Sequence, residues 1–251
     1  MSSTVMMQAA GVPFPAFVAY PAGAPETYRG AVIVLHEVWG LGDEIRRVAE
    51  RYAAEGFVAL APDLMGERAV PPEEAALLQG QLVHPDPEVR EAAQPRLLEL
   101  MAPIAAPAFA TAALQKLVAC LDLLDREEGV AGRLGITGYG LGGSYAFTLT
   151  IADARVRASV PYYGYANFPV ELLGEIACPI LSFVGEDDLA LFAALPALTA
   201  QMKEAGVEFT AIAYRGAGHA FANEGNPGAY RRDAAQDSWK KSIAFFTERL
   251  T

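Results

Sequence analysis

Short apolar segments alternate with amphipathic helical segments along most of the chain, and this alternation restricts the fold more than any other feature. The segment Ala31–Leu35 (AVIVL) is apolar at every position, as expected of a strand buried on both faces of a sheet. Helices that connect parallel strands cover both faces of such a sheet. The sequence therefore predicts an α/β protein with a mostly parallel central sheet. Its further strands are expected at 57–61, 134–138, 158–163, 180–184 and 208–214.

The two ends of the chain complete this arrangement. Residues 5–9 and 14–20 are expected to pair as an N-terminal antiparallel hairpin. Asp43 is expected to cap a helix that ends at Gly56. Later helices are predicted from 109 to 128, from Leu141 onward, at 195–205 and at 229–249.

The region 64–106 is less regular, because prolines recur through it. It is too short to build a core of its own. We interpret it as an irregular, proline-broken excursion over one face of the sheet. The whole chain, 1–251, is then a single domain.

Composition excludes several classes of function. The net charge of −11 disfavours nucleic acid, whose binders need a basic face, and it disfavours anionic membrane surfaces. The N-terminus shows no basic segment followed by a long apolar run, and no stretch approaches the roughly 18 apolar residues of a membrane helix. The two cysteines do not make a disulfide framework. We expect a cytoplasmic protein, either a monomer or a homodimer.

The chemistry is concentrated at the glycine-rich turn after the strand at 134–138. The sequence Gly-Tyr-Gly-Leu-Gly-Gly (138–143) joins this strand to a helix. A strand, a tight turn with flanking glycines and a helix form the nucleophile elbow of α/β-hydrolases, G-x-Nuc-x-G. Gly138 and Gly142 stand at the flanking positions. Gly140 stands at the nucleophile position, and it has no side chain with which to attack a carbonyl.

The turn allows two other interpretations. The glycines fit a phosphate-binding turn loosely, but a dinucleotide site follows the first strand and needs an acidic residue about 20 positions later. Ser144 is the nearest hydroxyl and could be the nucleophile of a shifted elbow. That elbow lacks its last glycine, and a residue one turn into the helix is expected to point away from the oxyanion hole.

An acid and a base follow the turn in the order that α/β-hydrolases use. Asp188 follows the predicted strand at 180–184, and His219 follows the strand at 208–214. Histidine acts as a general base near neutral pH, and a neighbouring carboxylate orients it and stabilises its cation. Asp187 is the alternative acid.

Four segments together resemble the dienelactone hydrolase family: Val-Ile-Val-Leu-His-Glu-Val-Trp-Gly (32–40), Ala-Pro-Asp-Leu (61–64), the elbow at 138–143, and Gly-His-Ala-Phe-Ala (218–222). The resemblance runs from about residue 14 to the C-terminus. It implies a minimal α/β-hydrolase fold and a small-molecule ester or lactone as substrate. No cofactor is expected, and the three histidines do not stand at metal-ligand spacing.

The resemblance also implies roles for single residues. The family nucleophile is a cysteine, and Gly140 stands in its place. Glu37 would contact the resting nucleophile, while the backbone N–H groups of Val38 and Leu141 would form the oxyanion hole. Asn223 stands where a substrate-binding arginine would be, so a dienelactone carboxylate loses one expected anchor.

Several side chains could line the substrate pocket. Trp39 and Tyr139 are candidates for substrate binding, with Tyr163 and Tyr165 near them, although core packing explains each almost as well. His36 could line the pocket or cover its rim. The remaining candidates are expected to lie in the core (Cys120), at a strand entrance (Cys178) and in solvent (His84).

Three functions remain open at this level. The chain is an ester or lactone hydrolase impaired at Gly140, whether that glycine is natural or introduced. Alternatively, His219 and Asp188 activate a water molecule without a covalent intermediate. In the third case the pocket binds a small molecule without catalysis.

Overall fold

The computed structural model describes all 251 residues. One sheet contains eight strands in the order β1-β2-β4-β3-β5-β6-β7-β8. The first two strands form an antiparallel hairpin, and β2 also pairs antiparallel with β4, whereas every other pair is parallel. The prediction of a mostly parallel sheet with an N-terminal hairpin is confirmed. The strands are β1 Ser2–Ala9, β2 Val12–Ala19, β3 Ala31–Leu35, β4 Val58–Pro62, β5 Leu134–Tyr139, β6 Val156–Tyr162, β7 Ile180–Gly185 and β8 Phe209–Tyr214.

Helices cover both faces of this sheet. On one face α4 and α5 pack into a cluster of 33 buried residues, and on the other α1 and α8 pack into a cluster of 25. Both clusters include alternate residues of the same central strands, because successive side chains of a strand point to opposite faces. The helices are α1 Asp43–Ala54, α2 Pro72–Leu82, α3 Pro87–Met101, α4 Pro107–Asp125, α5 Leu141–Ala152, α6 Val170–Leu173, α7 Leu189–Glu204 and α8 Arg232–Leu250.

The expectation of an irregular region at 64–106 is wrong, because α2 and α3 are regular helices within it. Pro72 and Pro87 are the first residues of these helices. Proline is favoured there, because its φ is preset and the missing N–H has no intrahelical partner in any case. Of the six prolines in this region, Pro72 and Pro87 begin α-helices, Pro103 begins a short 3-10 helix, and Pro95 lies inside α3.

Two helix starts also differ from expectation. Gly42, not Asp43, is the N-cap residue of α1, and no side chain bonds to the free N–H groups there. Asp43 is instead the first helical residue, where its negative charge interacts favourably with the positive end of the helix dipole. Helix α7 begins at Leu189, well before the expected residue 195, and accommodates Pro196 in its interior.

Helix α4 is long and apolar enough, by length and composition, to cross a membrane. Its position explains that composition differently. Phe109, Leu117, Cys120, Leu121 and Leu124 are buried in the cluster beneath it. The helix contacts β1, β4, β5 and α5. These five side chains are therefore part of the protein core.

Helix α5 approaches the sheet so closely that only glycine fits at several contacts. A Cβ atom at Gly142 would lie 2.5 Å from the carbonyl oxygen of Leu35, and one at Gly143 would lie 2.6 Å from that of Tyr162. A Cβ at Gly138 would lie 2.1 Å from the carbonyl oxygen of Gly142. The N-terminus of α5 is thereby pressed against the carboxyl ends of β3 and β6.

This packing predicts that Gly142→Ala destabilises the fold. Its Cβ would meet backbone atoms, which can move only with their strand, and overpacking of this kind costs about 1–3 kcal/mol. A fall in melting temperature of several degrees is expected from thermal denaturation. The control is Gly80→Ala in α2, where a Cβ meets nothing within 4 Å and alanine favours the helix. Equal stability of the two variants would contradict the contact.

Candidate active site

The turn between β5 and α5 holds Gly140 in a backbone conformation that favours glycine. Its φ is 54° and its ψ is −111°, and its N–H donates to the carbonyl oxygen of Tyr162 at 3.1 Å. Such positive-φ conformations cost other residues about 1–3 kcal/mol, and they persist where the surrounding structure enforces them. The positive-φ backbone expected of a nucleophile elbow is present, and glycine adopts it without that cost.

The space beside Gly140 is bordered by a base and an acid. A Cβ atom built on Gly140 would lie 3.4 Å from Nε2 of His219 and 3.6 Å from Cγ of Glu37. These are ordinary van der Waals distances, so a small side chain fits without displacing its neighbours. A hydroxyl or thiol at this position would stand within reach of the imidazole.

The structure pairs His219 with Asp188. Nδ1 of His219 lies 2.7 Å from Oδ2 of Asp188, and the two residues come from the loops that follow β8 and β7. With the carboxylate accepting the Nδ1–H, Nε2 is the nitrogen that faces Gly140. Asp187 makes no such contact, since its side chain is exposed and its N–H donates to the carbonyl oxygen of Ala217.

The charge of His219 follows from this pairing. Burial lowers the pKa of the imidazole, but the hydrogen bond to Asp188 and the charges of Asp188 and Glu37 outweigh that effect. The pKa of His219 therefore lies above its ordinary value. The ring is half-exposed, at 50% of its side-chain surface, so protons can exchange with solvent.

Glu37 is a buried carboxyl with one free oxygen. Burial raises its pKa, although the charge of His219 and the hydrogen bond from Asn223 oppose the shift. Nδ2 of Asn223 donates to Oε2 at 3.0 Å, whereas Oε1 has no hydrogen-bond partner. The amide oxygen of Asn223 accepts from the N–H of Gly225. Asn223 thus holds Glu37 in place with a neutral group.

The two expected oxyanion donors carry free backbone N–H groups. Leu141 is the first residue of α5, and the first N–H groups of a helix have no intrahelical acceptor. The N–H of Val38, in the turn after β3, makes no hydrogen bond within the protein. The glycine contacts of α5 with the end of β3 bring these two segments together.

A cavity of about 540 Å³ adjoins the site. Trp39, Tyr139, Tyr163 and Asn223 are among its lining residues, but Gly140 and His219 are not. The cavity therefore meets the site at Glu37 and extends beneath α1 and α2. Tyr139 lines this cavity and also stacks on a core tyrosine.

Tyr163 has a backbone conformation and a buried hydroxyl that the sequence did not predict. Its φ is 37°, in the left-handed region, and its ring lies 5.0 Å from that of His219. Its hydroxyl is buried without a hydrogen-bond partner. Tyr165, by contrast, is exposed and does not line the cavity.

The lesser candidates lie away from the reacting position. Oγ of Ser144 accepts a hydrogen bond from the N–H of Tyr165 at 2.9 Å, which ties it to the loop after β6. Cys120 and Cys178 are buried, and burial raises the pKa of the Cys178 thiol to about 12. His84 is exposed, as expected.

One residue beside the site was not predicted from the sequence, and the expectation for His36 is wrong. Gln79, on α2, lines the cavity, and its Oε1 lies 3.4 Å from Nδ2 of Asn223. It belongs to the region that was expected to be irregular, and no motif marks it. His36 is fully buried, so it neither lines the pocket nor covers its rim.

Comparison with known proteins places the chain in a family. The sequence model of the dienelactone hydrolase family matches residues 14–250. The chain belongs to the dienelactone hydrolase family. Relatives include the "Putative carboxymethylenebutenolidase" of Saccharolobus solfataricus, 27% identical over 98% of both chains, and the protein usf of Aquifex pyrophilus, 29% identical over the whole of both. The structure of the "Putative Dienelactone Hydrolase" of Klebsiella pneumoniae superposes with a TM-score of 0.81, at 22% identity over 99% of this chain and 98% of that one. That likeness supports the fold.

The His219–Asp188 contact predicts a pH-dependent change that NMR can follow. In the chain without substitutions, His219 is expected to titrate above its ordinary pKa. Asp188→Asn is expected to lower that pKa, because it removes the negative charge that accepts the hydrogen bond. The pair stabilises the fold below about pH 6.5, and this stabilisation is lost as the pH rises through the folded-state pKa. The control is Asp187→Asn, for which no comparable shift is expected. A larger shift in the control than in Asp188→Asn would reverse the assignment of the acid.

The backbone of Gly140 predicts a cost for any side chain placed there. Gly140→Ser is expected to lower the unfolding free energy by about 1–3 kcal/mol, read from the denaturant midpoint. The matched control is Gly42→Ser, at the N-cap of α1, where φ is −85° and the space is open. Serine is favoured at such a position. An unchanged or higher stability of Gly140→Ser would contradict strain at the turn.

Proposed function

We propose that the chain is a hydrolase of lactones or small carboxylic esters whose turnover is lost or strongly impaired by Gly140. The observation that carries the proposal is the position of His219. Its Nε2 lies 3.4 Å from where a Cβ would stand on Gly140, and its Nδ1 is bonded to Asp188. Apart from the attacking atom, the groups that acyl transfer requires surround this point.

The chemistry of each group follows from its position. With a hydroxyl or thiol at residue 140, His219 would take its proton as general base and later return one to the leaving group. The N–H groups of Val38 and Leu141 would donate hydrogen bonds to the carbonyl oxygen and stabilise the negative charge that develops on it. Glu37, whose pKa is raised by burial, would border the bound ester at the mouth of the cavity.

The cavity favours an uncharged substrate. Four carboxyl groups contribute to its lining, those of Glu37, Asp43, Glu44 and Asp63. Of its two guanidinium groups, Arg47 is paired with Glu44, and Arg46 bonds Thr4. The Saccharolobus relative is named for a carboxymethylenebutenolide, a lactone that carries a carboxyl group. In this chain Asn223 is neutral, so we propose a lactone or ester without a carboxylate.

A second candidate function uses water in place of the side chain. Oε1 of Glu37 and the hydroxyl of Tyr163 are buried, lack partners and line the same cavity. A water molecule held there could be deprotonated by His219 and attack the carbonyl directly. Without a covalent nucleophile the rate would fall by orders of magnitude. If this rate is zero, the cavity serves ligand binding alone.

Restoring a nucleophile tests the proposal. Gly140→Cys and Gly140→Ser are expected to hydrolyse a neutral p-nitrophenyl ester at least about a hundredfold faster than Gly140→Ala, because the base is already in place. The Ala variant carries the same backbone strain without the attacking atom. If neither nucleophilic variant exceeds it, the proposed function is wrong.

The same assay separates the alternatives. Unaltered protein that exceeds His219→Ala on the same ester supports the water-activated route, and equal rates exclude it. A matched ester that bears a carboxylate is expected to react more slowly than the neutral ester in Gly140→Cys. A preference for the charged ester would refute the proposed substrate class.

A further inference from the structure

The histidine that precedes Glu37 is held in a single tautomer by two backbone groups. His36 is fully buried, and its Nε2 accepts a hydrogen bond from the N–H of Leu64 at 3.0 Å. A backbone N–H can only donate, so Nε2 carries no hydrogen. Nδ1 is then the protonated nitrogen, and it donates to the carbonyl oxygen of Glu37 at 2.6 Å.

This hydrogen bond fixes the peptide that joins Glu37 to Val38. The carbonyl oxygen of Glu37 also accepts from the N–H of Gly40 at 3.3 Å. The structure contains no cis peptide bonds, and in a planar trans peptide the C=O and the N–H point in opposite directions. Anchoring the carbonyl on His36 therefore turns the N–H of Val38 away from the core, and that N–H has no acceptor in the protein.

The segment that bonds Nε2 of His36 is itself held by hydrogen bonds. Nζ of Lys116, on α4, donates to the carbonyl oxygens of Asp63 and Leu64. Oδ1 of Asp63 accepts hydrogen bonds from the backbone N–H groups of Met65 and Gly66. Burial lowers the pKa of His36, which keeps the ring neutral and Nε2 able to accept. The imidazole thus connects the segment after β4 to the turn after β3.

We propose that His36 is a positioning residue that orients the Glu37–Val38 peptide so that the N–H of Val38 faces the carbonyl oxygen of a bound ester. The inference rests on the proposed function, because that N–H matters only where an oxyanion forms. The imidazole of His36 also links two of the sequence motifs. It joins the His-Glu-Val of the segment 32–40 to the Asp-Leu of the segment 61–64.

Three substitutions separate the two hydrogen bonds of the ring. His36→Asn places an amide N–H near the position of Nδ1 and keeps the bond to the Glu37 carbonyl. His36→Gln places an amide oxygen near Nε2 and keeps the acceptor for Leu64. His36→Leu removes both. A residue that acts only on stability would be rescued at least as well by Gln as by Asn.

The kinetic test uses these substitutions in Gly140→Cys with p-nitrophenyl acetate. Loss of a single oxyanion donor lowers kcat by about a hundredfold or more. His36→Leu and His36→Gln are expected to lower kcat at least about tenfold with KM changed less than twofold, and His36→Asn is expected to restore most of it. The proposal would be overturned if the three variants had the same kcat. It would also be overturned if His36→Gln, but not His36→Asn, restored the kcat of Gly140→Cys.

A structural readout separates failure of this inference from failure of the proposed function. Crystal structures of His36→Leu and His36→Asn, with Gly140 unaltered, need no turnover. The Glu37–Val38 peptide is expected to rotate in the Leu variant and to keep its orientation in the Asn variant. If Gly140→Cys proves inactive, the proposed function fails and these structures alone decide the role of His36. An unrotated peptide in the Leu variant refutes it.

Discussion

The structure depends on contact between backbones at the N-terminus of α5. Gly138, Gly142 and Gly143 lack the side chains that would hold this helix away from the ends of β3 and β6. The close approach places the turn of Gly140 beside Glu37 and Val38, which follow β3. The loops after β7 and β8 then deliver Asp188 and His219 to the same edge, because parallel strands end together. The site is a consequence of this packing.

Around that turn the backbone and the acid–base pair are in place without a side chain at residue 140. The backbone of Gly140 has the positive φ of an elbow, and the His219–Asp188 pair is formed without any side chain at residue 140. The neutral partner of Glu37 is the other distinctive feature. With Asn223 in place of a cation, burial dominates the pKa of Glu37, and the cavity presents few unpaired positive charges.

Sequence reasoning predicted the sheet and the grouping of three candidate site residues, because both leave patterns that can be read along the chain. The run Ala31–Leu35 reads as a buried strand and is one, and the order of Gly140, Asp188 and His219 along the chain anticipated their proximity. It failed where tertiary contacts decide. Pro72 and Pro87 proved to be the first residues of α-helices, and Gly42 took the cap position expected of Asp43. The role of His36 depends on Leu64, which no local pattern links to it.

The most direct test of the account is the intact mass of Gly140→Cys after brief exposure to an activated ester such as p-nitrophenyl acetate. The account predicts one added acetyl group, mapped by digestion to residue 140, and none on the unaltered chain, whose two cysteines are buried. Adding His219→Ala to the variant should abolish the modification. An acetyl group that fails to appear on residue 140, or that appears equally without His219, would contradict the claim that this fold holds an assembled hydrolase site around a glycine.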